Sequence, residues 1–196
     1  MKDHILIALA WIIFCVLHSL LASGSFKKYL EKKTGKFFTG FRLWYTLFAF
    51  FSFSAILLYQ LLTPSPFVFL PTNFSRITGI VIALPGIAIM SSAIIKYFSR
   101  LSGMYWLLHN DTKNILRRSG IHKYVRHPLY LGTFLFIWGL FIFLPRLSLL
   151  IADSIITIYT LIGIRFEEKK LLAEFGKDYE KYKEEVPMII PKTLKR

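Results

Sequence analysis

Two polar clusters in this chain contain residue types that carry chemistry, and each lies at one end of an apolar stretch. The first is Arg126-His127-Pro128-Leu129-Tyr130, which follows a basic segment and opens an apolar run. The second is Arg165 with the pair Glu167-Glu168, which follows the next apolar run. Charged side chains beside a membrane are costly unless they are paired or functional. We therefore predict that the two clusters meet and form one site.

The combined cluster offers cations, imidazoles, a tyrosine and two carboxylates at one membrane face. These groups suit a polar cofactor that carries both an ammonium and a carboxylate, because each charge on the cofactor would find its opposite. A site at a bilayer surface also suits an amphiphilic reaction partner. The residues alone do not identify the cofactor or the reaction.

The composition is that of a membrane protein with one domain. Of the 196 residues, 55% are hydrophobic and 19 are phenylalanine, which is too apolar for a soluble fold of this length. The formal net charge is +14. A membrane surface explains this charge and no nucleic-acid motif is present, so we predict the bilayer and no nucleic acid as a partner. The single cysteine, Cys15, cannot form an internal disulfide.

Apolar runs predict the helices that position the clusters. Because a bilayer core of about 30 Å needs roughly 20 helical residues, we predict an all-α polytopic membrane bundle with five transmembrane helices. The last two are separated only by Pro145-Arg146 and should form a helical hairpin, which brings the two clusters to the same face. The five runs are residues 5–22, 43–62, 77–95, 129–144 and 147–164.

Lysine and arginine placement predicts the orientation of the helices. Segments 24–42, 96–126 and 165–196 hold 22 of the 25 basic residues. Basic loops stay in the cytoplasm, so we predict an outside N-terminus and a cytoplasmic C-terminus and site. A cleaved signal peptide ending within residues 19–23 is the alternative, but its leading segment would be nearly neutral.

Local signals predict the backbone around the site. Pro128 disfavours a helical His127 and suits the first turn of the following helix, and Gly132 permits close approach of a ligand or a helix. An amphipathic helix should continue to a stop at Gly176. We predict a further short helix over 177–185, with tyrosines that pack on the cytoplasmic face of the protein.

The C-terminal pattern is Gly120, Arg126-His127-Pro128-x-Tyr130-x-Gly132, then Glu167-Glu168-x-x-Leu171-x-x-x-Phe175-Gly176-x-x-Tyr179-x-x-Tyr182-x-x-x-Val186-Pro187-x-x-Ile190-Pro191. This order of motifs resembles that of the isoprenylcysteine carboxyl methyltransferase family of integral-membrane methyltransferases. The N-terminal half, through residues 18–23 and 42–45, resembles the NnrU/nurim and methanethiol S-methyltransferase branch.

The resemblance implies that S-adenosyl-L-methionine binds between the two clusters and that no metal is needed. It implies one methyltransferase domain. Residues 1–96 would form three transmembrane helices, and residues 97–196 would form the cofactor-binding loop, the helical hairpin and the cytoplasmic tail. Further cofactor contacts would fall near 114–117. The implied cofactor contacts are His122, where the family often has tyrosine, His127, Pro128, Leu129, Tyr130, Glu167 and Glu168. The implied catalytic residues are Arg126, His127 and Arg165.

The resemblance also implies in-line transfer of a methyl group to a small thiol or to a lipophilic thiol or carboxylate. A neutral thiol would need a base, and His122 or His127 could serve. Each histidine could instead be an interfacial hydrogen-bonding residue. A non-catalytic NnrU/nurim-like protein and a phospholipid amine methyltransferase are the alternative functions.

Overall fold

A computed structural model describes residues 1–35, 41–101 and 116–191, and these residues are almost entirely helical. This confirms the all-α prediction. A short 3-10 turn, Gly120–Lys123, precedes the fifth α-helix. The α-helices in the described ranges are α1 (Lys2–Ala22), α2 (Gly24–Thr34), α3 (Phe41–Leu62), α4 (Asn73–Leu101), α5 (Pro128–Phe143), α6 (Leu147–Phe175) and α7 (Lys177–Glu185).

Four of these helices are long and apolar enough to cross a membrane: α1, α3, α4 and α6. Only 6% to 33% of their most apolar windows is fully buried inside the protein, so most of their side chains remain at least partly accessible from outside the protein. The fourth predicted span corresponds to α5, which is apolar but has only 16 residues, or roughly 24 Å of helix. The chain is therefore a multi-pass membrane protein with four full-length candidate spans and one shorter apolar helix in its described part.

The chain divides into two compact units. The described part of the first contains α1, α2, α3 and the beginning of α6. Its core forms around Ile7, Trp11 and Ala152. Polar side chains join helices here: the Trp11 indole donates to Gln60 at 2.7 Å, and the His18 ring lies 3.0 Å from the Tyr45 hydroxyl. Such bonds hold helices together where lipid gives no hydrophobic driving force.

The described part of the second unit contains most of α4, all of α5, the rest of α6, and α7. Helices α4 and α5 pack antiparallel through glycines. A Cβ on Gly86 would lie 2.6 Å from the Phe136 nitrogen, and one on Gly132 would lie 2.8 Å from the Met90 nitrogen. The two backbones are therefore in direct contact, and the close approach predicted at Gly132 is made by a helix.

The C-terminal elements follow the sequence signals closely. Helix α6 continues without a break past the apolar run and ends before Gly176, whose φ of +52° suits a residue without a Cβ. The Gly176 amide donates to the Leu172 carbonyl at 2.9 Å. The short helix predicted over 177–185 is α7, and it buries Tyr179 and Tyr182.

Candidate functional site

The site begins with the loop before α5. His127 has φ −120° and ψ +68°, which is not helical, and Pro128 is the first residue of α5 as predicted. The amides of Arg126 and His127 donate to the carbonyls of Pro187 (2.9 Å) and Met188 (3.1 Å). The segment after α7 therefore lies directly against the loop and supplies its backbone acceptors.

Glu168 of α6 is the centre of the polar network. Its carboxylate accepts a bidentate pair from Arg126, through Nε at 3.0 Å and Nη2 at 3.1 Å. It also accepts from His127 Nε2 at 2.9 Å and from the Tyr179 hydroxyl at 2.7 Å. The Glu168 side chain is only 12% exposed, so these partners occupy it and leave little access for a ligand.

Arg126 extends this network to the C-terminal segment. Its Nη1 donates to the carbonyls of Lys183 (3.0 Å) and Val186 (2.8 Å), and its side chain is 9% exposed. One guanidinium thus joins α6, α7 and the residues that follow α7. The planar fork of arginine allows this arrangement, because its several donors point in fixed and different directions.

Glu167 differs sharply from its neighbour. Its side chain is 43% exposed, and within the described residues its carboxylate accepts one hydrogen bond, from the Tyr130 hydroxyl at 2.9 Å. His127 Nδ1 lies 3.7 Å away, which is beyond hydrogen-bond distance. The Tyr130 and His127 rings stack with 5.6 Å between centroids. Glu167 is therefore oriented by Tyr130 while it keeps acceptor capacity toward solvent.

The proton position on His127 follows from its neighbours. Nε2 faces a carboxylate that can only accept, so Nε2 carries a proton and donates to Glu168. In a neutral ring Nδ1 is then the unprotonated nitrogen. The His127 side chain is 4% exposed, and in this tautomer the free lone pair of the ring is on Nδ1, which lies 3.7 Å from the Glu167 carboxylate.

His122 and Arg165 occupy different places from the network. His122 Nδ1 lies 3.2 Å from the Arg126 carbonyl, and the His122 carbonyl accepts from Tyr182 at 2.6 Å, so this residue braces the turn. Arg165 is exposed on α6, and within the described residues it forms no ion pair with either glutamate. The structure thus brings together Arg126, His127, Tyr130, Glu167 and Glu168.

Other predicted contacts fall partly outside the described residues. Of the upstream segment 114–117, residues 114 and 115 lie outside them, as does most of the basic stretch before it. Leu116 packs against the cluster of Tyr179, Tyr182 and Val186. This part of the predicted cofactor loop stays a prediction.

Sequence reasoning missed the polar role of the α7 tyrosines. They pack in a buried cluster, but the hydroxyl of Tyr179 also donates to Glu168. Burial, and next the hydrogen bond to Glu168, raise the pKa of Tyr179, so the hydroxyl stays protonated as a donor. The signal was available in principle, since a buried tyrosine hydroxyl needs a partner and Glu168 lies only eleven residues away.

Comparison with known proteins finds similarity along most of the chain. The model of a family described as "Protein of unknown function (DUF1295)" matches residues 6–186. Methanethiol S-methyltransferase of Crocosphaera subtropica is 31% identical over 91% of this chain and 71% of its own length. Methanethiol S-methyltransferase 1 of Bradyrhizobium diazoefficiens is 30% identical, again over 91% of this chain but only 64% of its own length.

A shorter similarity extends to a second group. The protein-S-isoprenylcysteine O-methyltransferase of Schizosaccharomyces pombe is 35% identical over 79 residues, which cover 40% of this chain and 34% of that protein. No solved structure matches this chain significantly. Both groups agree with the resemblance predicted from the motifs.

Proposed function

Since this chain belongs to the family described as "Protein of unknown function (DUF1295)" and is 31% identical to a protein named methanethiol S-methyltransferase, we propose that it is an integral-membrane methyltransferase. We propose S-adenosyl-L-methionine as the donor and a small thiol as the preferred acceptor. The observation that carries the proposal is the pairing of a half-exposed Glu167 with a fully engaged Glu168. The Glu167 carboxylate is available for a ligand, and the Glu168 carboxylate holds Arg126, His127 and Tyr179 in place beside it.

The residues present fit this cofactor, which supplies a methyl group activated by a sulfonium. Glu167 is a suitable acceptor for its ammonium, because Tyr130 donates the carboxylate's one hydrogen bond within the described residues. The amides of Leu129 and Tyr130 lie in the first turn of α5, where backbone N–H groups have no partner inside the helix. Such amides suit the cofactor's carboxylate. Pro128 starts this turn and has no N–H to offer.

The remaining chemistry is alignment and removal of a proton. Transfer of a methyl group in line needs a thiolate or carboxylate held in position, and exclusion of water. A thiol acceptor has to lose its proton first. Nδ1 of His127 is the nitrogen placed to accept it, because Nε2 already donates to Glu168. Arg126 would fix the position of Glu168, and through it the position of the His127 ring. We also propose that Arg165 acts on the substrate side, toward the methyl acceptor.

We place the site on the cytoplasmic side, with the N-terminus outside. The distribution of basic residues, 22 of 25 in three segments of the chain, supports this orientation through the positive-inside rule. In the same proposal the chain forms one methyltransferase domain, with the helices of residues 1–96 as the membrane mounting. The site residues and the tail follow in residues 97–196.

Titration with S-adenosylhomocysteine, the product form of the cofactor, tests the binding step. We expect saturable binding to the protein in nanodiscs, weakened at least tenfold by Glu167→Gln, because a charge-assisted bond of about 1.5–3 kcal/mol is lost. Glu184→Gln is the matched control: it makes the same chemical change on the exposed surface of α7. Absence of binding, or equal effects of the two variants, contradicts the proposal and favours a non-catalytic NnrU/nurim-like protein.

Methyl transfer assays with three acceptors identify the substrate class. Methanethiol tests the small-thiol proposal, and phosphatidylethanolamine tests the phospholipid amine alternative. A prenylated cysteine tests a lipophilic carboxylate, a second candidate favoured by the 35% identity to the S. pombe enzyme. We expect methanethiol to be the best acceptor. A clear preference for either lipid acceptor would reassign the substrate while leaving the cofactor site intact.

A further inference from the structure

The segment after α7 is held at the level where α5 begins. The His127 amide donates to the Met188 carbonyl, and the residue after His127 is Pro128, the first of the apolar helix α5. Val186, two residues before Met188, is 8% exposed and anchors the segment in the tyrosine cluster. The residues after Val186 therefore lie beside the N-terminal end of the apolar helix α5.

This region has exposed apolar side chains on both sides of the backbone pairing. On the C-terminal side, Met188 is 37% and Ile190 is 79% exposed. On the loop side, Ile121 is 37% and Tyr124 is 51% exposed. We call these four side chains the interfacial patch. Isolated exposed apolar residues are ordinary, but four of them on two segments tied together at the end of an apolar helix are not.

Along the sequence, the charged residues around the two parts of the patch are mostly basic, with Glu184 and Glu185 as the exceptions. Lys123 lies between its two loop residues and is exposed. In sequence, Lys192, Lys195 and Arg196 follow its last residue. Aliphatic and aromatic side chains flanked by lysine and arginine are the composition of segments that lie in the headgroup region of a membrane.

We propose that the interfacial patch lies in the headgroup and upper acyl layer of the same bilayer that the helices cross. The His127 amide that pairs with Met188 is followed directly by Pro128, the first residue of α5, so the bilayer around that apolar helix is the apolar phase nearest the patch. The segment 186–190 would then be an interfacial anchor that holds the C-terminal region flat against the membrane beside the loop. This inference does not depend on the methyltransferase proposal.

A nitroxide spin label at position 190 tests the proposal in the full-length protein. The background is Cys15→Ala, which removes the chain's single cysteine. Ile190→Cys is then labelled and reconstituted in liposomes of phosphatidylcholine and phosphatidylglycerol. Oxygen concentrates in lipid and a nickel chelate concentrates in water, so their relaxation effects report the depth of the label. Glu184→Cys, on the exposed surface of α7, is the matched control.

We expect the oxygen-to-nickel ratio at position 190 to exceed that at position 184 several-fold. A label at Tyr124→Cys should show the same high oxygen-to-nickel ratio as the label at position 190. Agreement between the two positions excludes a local effect of one substitution. Equal ratios at 190 and 184 would overturn the proposal. Protection from both relaxants, with dipolar broadening between labels, would also overturn it and would instead identify a second copy of the chain as the partner of the patch.

Discussion

Substitution of Glu168 by glutamine should loosen the C-terminal segment without changing Glu167, the proposed cofactor contact. The change keeps the shape of the side chain but removes its charge, and one of the two terminal atoms becomes a donor that faces the donors of Arg126. Removal of one partner from a buried ion pair costs about 3–5 kcal/mol. We take about 3 kcal/mol, because Arg126 keeps two carbonyl acceptors in the C-terminal region.

Hydrogen exchange at the loop amides measures this loss directly. The amides of Arg126 and His127 donate to the carbonyls of Pro187 and Met188, so they exchange when the C-terminal segment detaches. A loss of about 3 kcal/mol corresponds to a roughly 150-fold increase in the open population, because 1.4 kcal/mol is a factor of ten. We expect Glu168→Gln to accelerate exchange of these two amides by about that factor.

Glu167→Gln is the matched control because it makes the same change one residue away. Its carboxylate is half-exposed and takes no part in the Arg126 pair, so exchange of the loop amides should change less than about threefold, the size of a weak surface interaction. The reasoning fails if both variants accelerate exchange equally, or if Glu168→Gln leaves it unchanged.

Substitutions at three other positions test further contacts. Gly132→Ala should lower the unfolding midpoint in detergent by several degrees, because its Cβ would lie 2.8 Å from the Met90 nitrogen, whereas Gly163→Ala, which meets no atom within 4 Å, should not. Tyr179→Phe should raise loop-amide exchange about tenfold, through loss of roughly 1.5 kcal/mol of charge-assisted bonding. Because the folded pKa of Tyr179 is raised above its usual value of 10.0, its contribution is complete below pH 10 and declines above it, so stability titrations of wild type and Tyr179→Phe should converge at high pH. Trp11→Phe should destabilise the helix pair α1 and α3 by about 1–3 kcal/mol, measured by thermal unfolding, since Gln60 would be left buried without its indole donor.

The sequence was sufficient for the long helices and α7, and for the meeting of Arg126, His127 and Tyr130 with the glutamate pair, but not for α2 or for the separate position of Arg165. Apolar runs marked the spans, and Gly176 and Pro128 marked the helix ends. The hairpin at Pro145-Arg146 made contact between the loop and Glu167-Glu168 a geometric expectation, and their side chains do make contact.

The different environments of Glu167 and Glu168 could not be predicted in this way. Adjacent residues on a helix point about 100° apart, so the two glutamates had to face different surroundings. Which one becomes buried depends on where α7 and the segment after it dock, and that docking depends on Arg126 binding backbone carbonyls. Backbone acceptors have no sequence signature, because every residue carries one.

The backbone pairing between the loop and the C-terminal segment has a consequence for how the protein is made. The carbonyls of Val186, Pro187 and Met188 satisfy a guanidinium and two amides of the loop, yet the ribosome adds these residues after every described helix. The helices can enter the membrane while the loop still lacks its acceptors. The loop can thus gain these acceptors only late in synthesis, and a chain that stops before residue 186 would keep every described helix but lack the carbonyls that hold the loop of the candidate site.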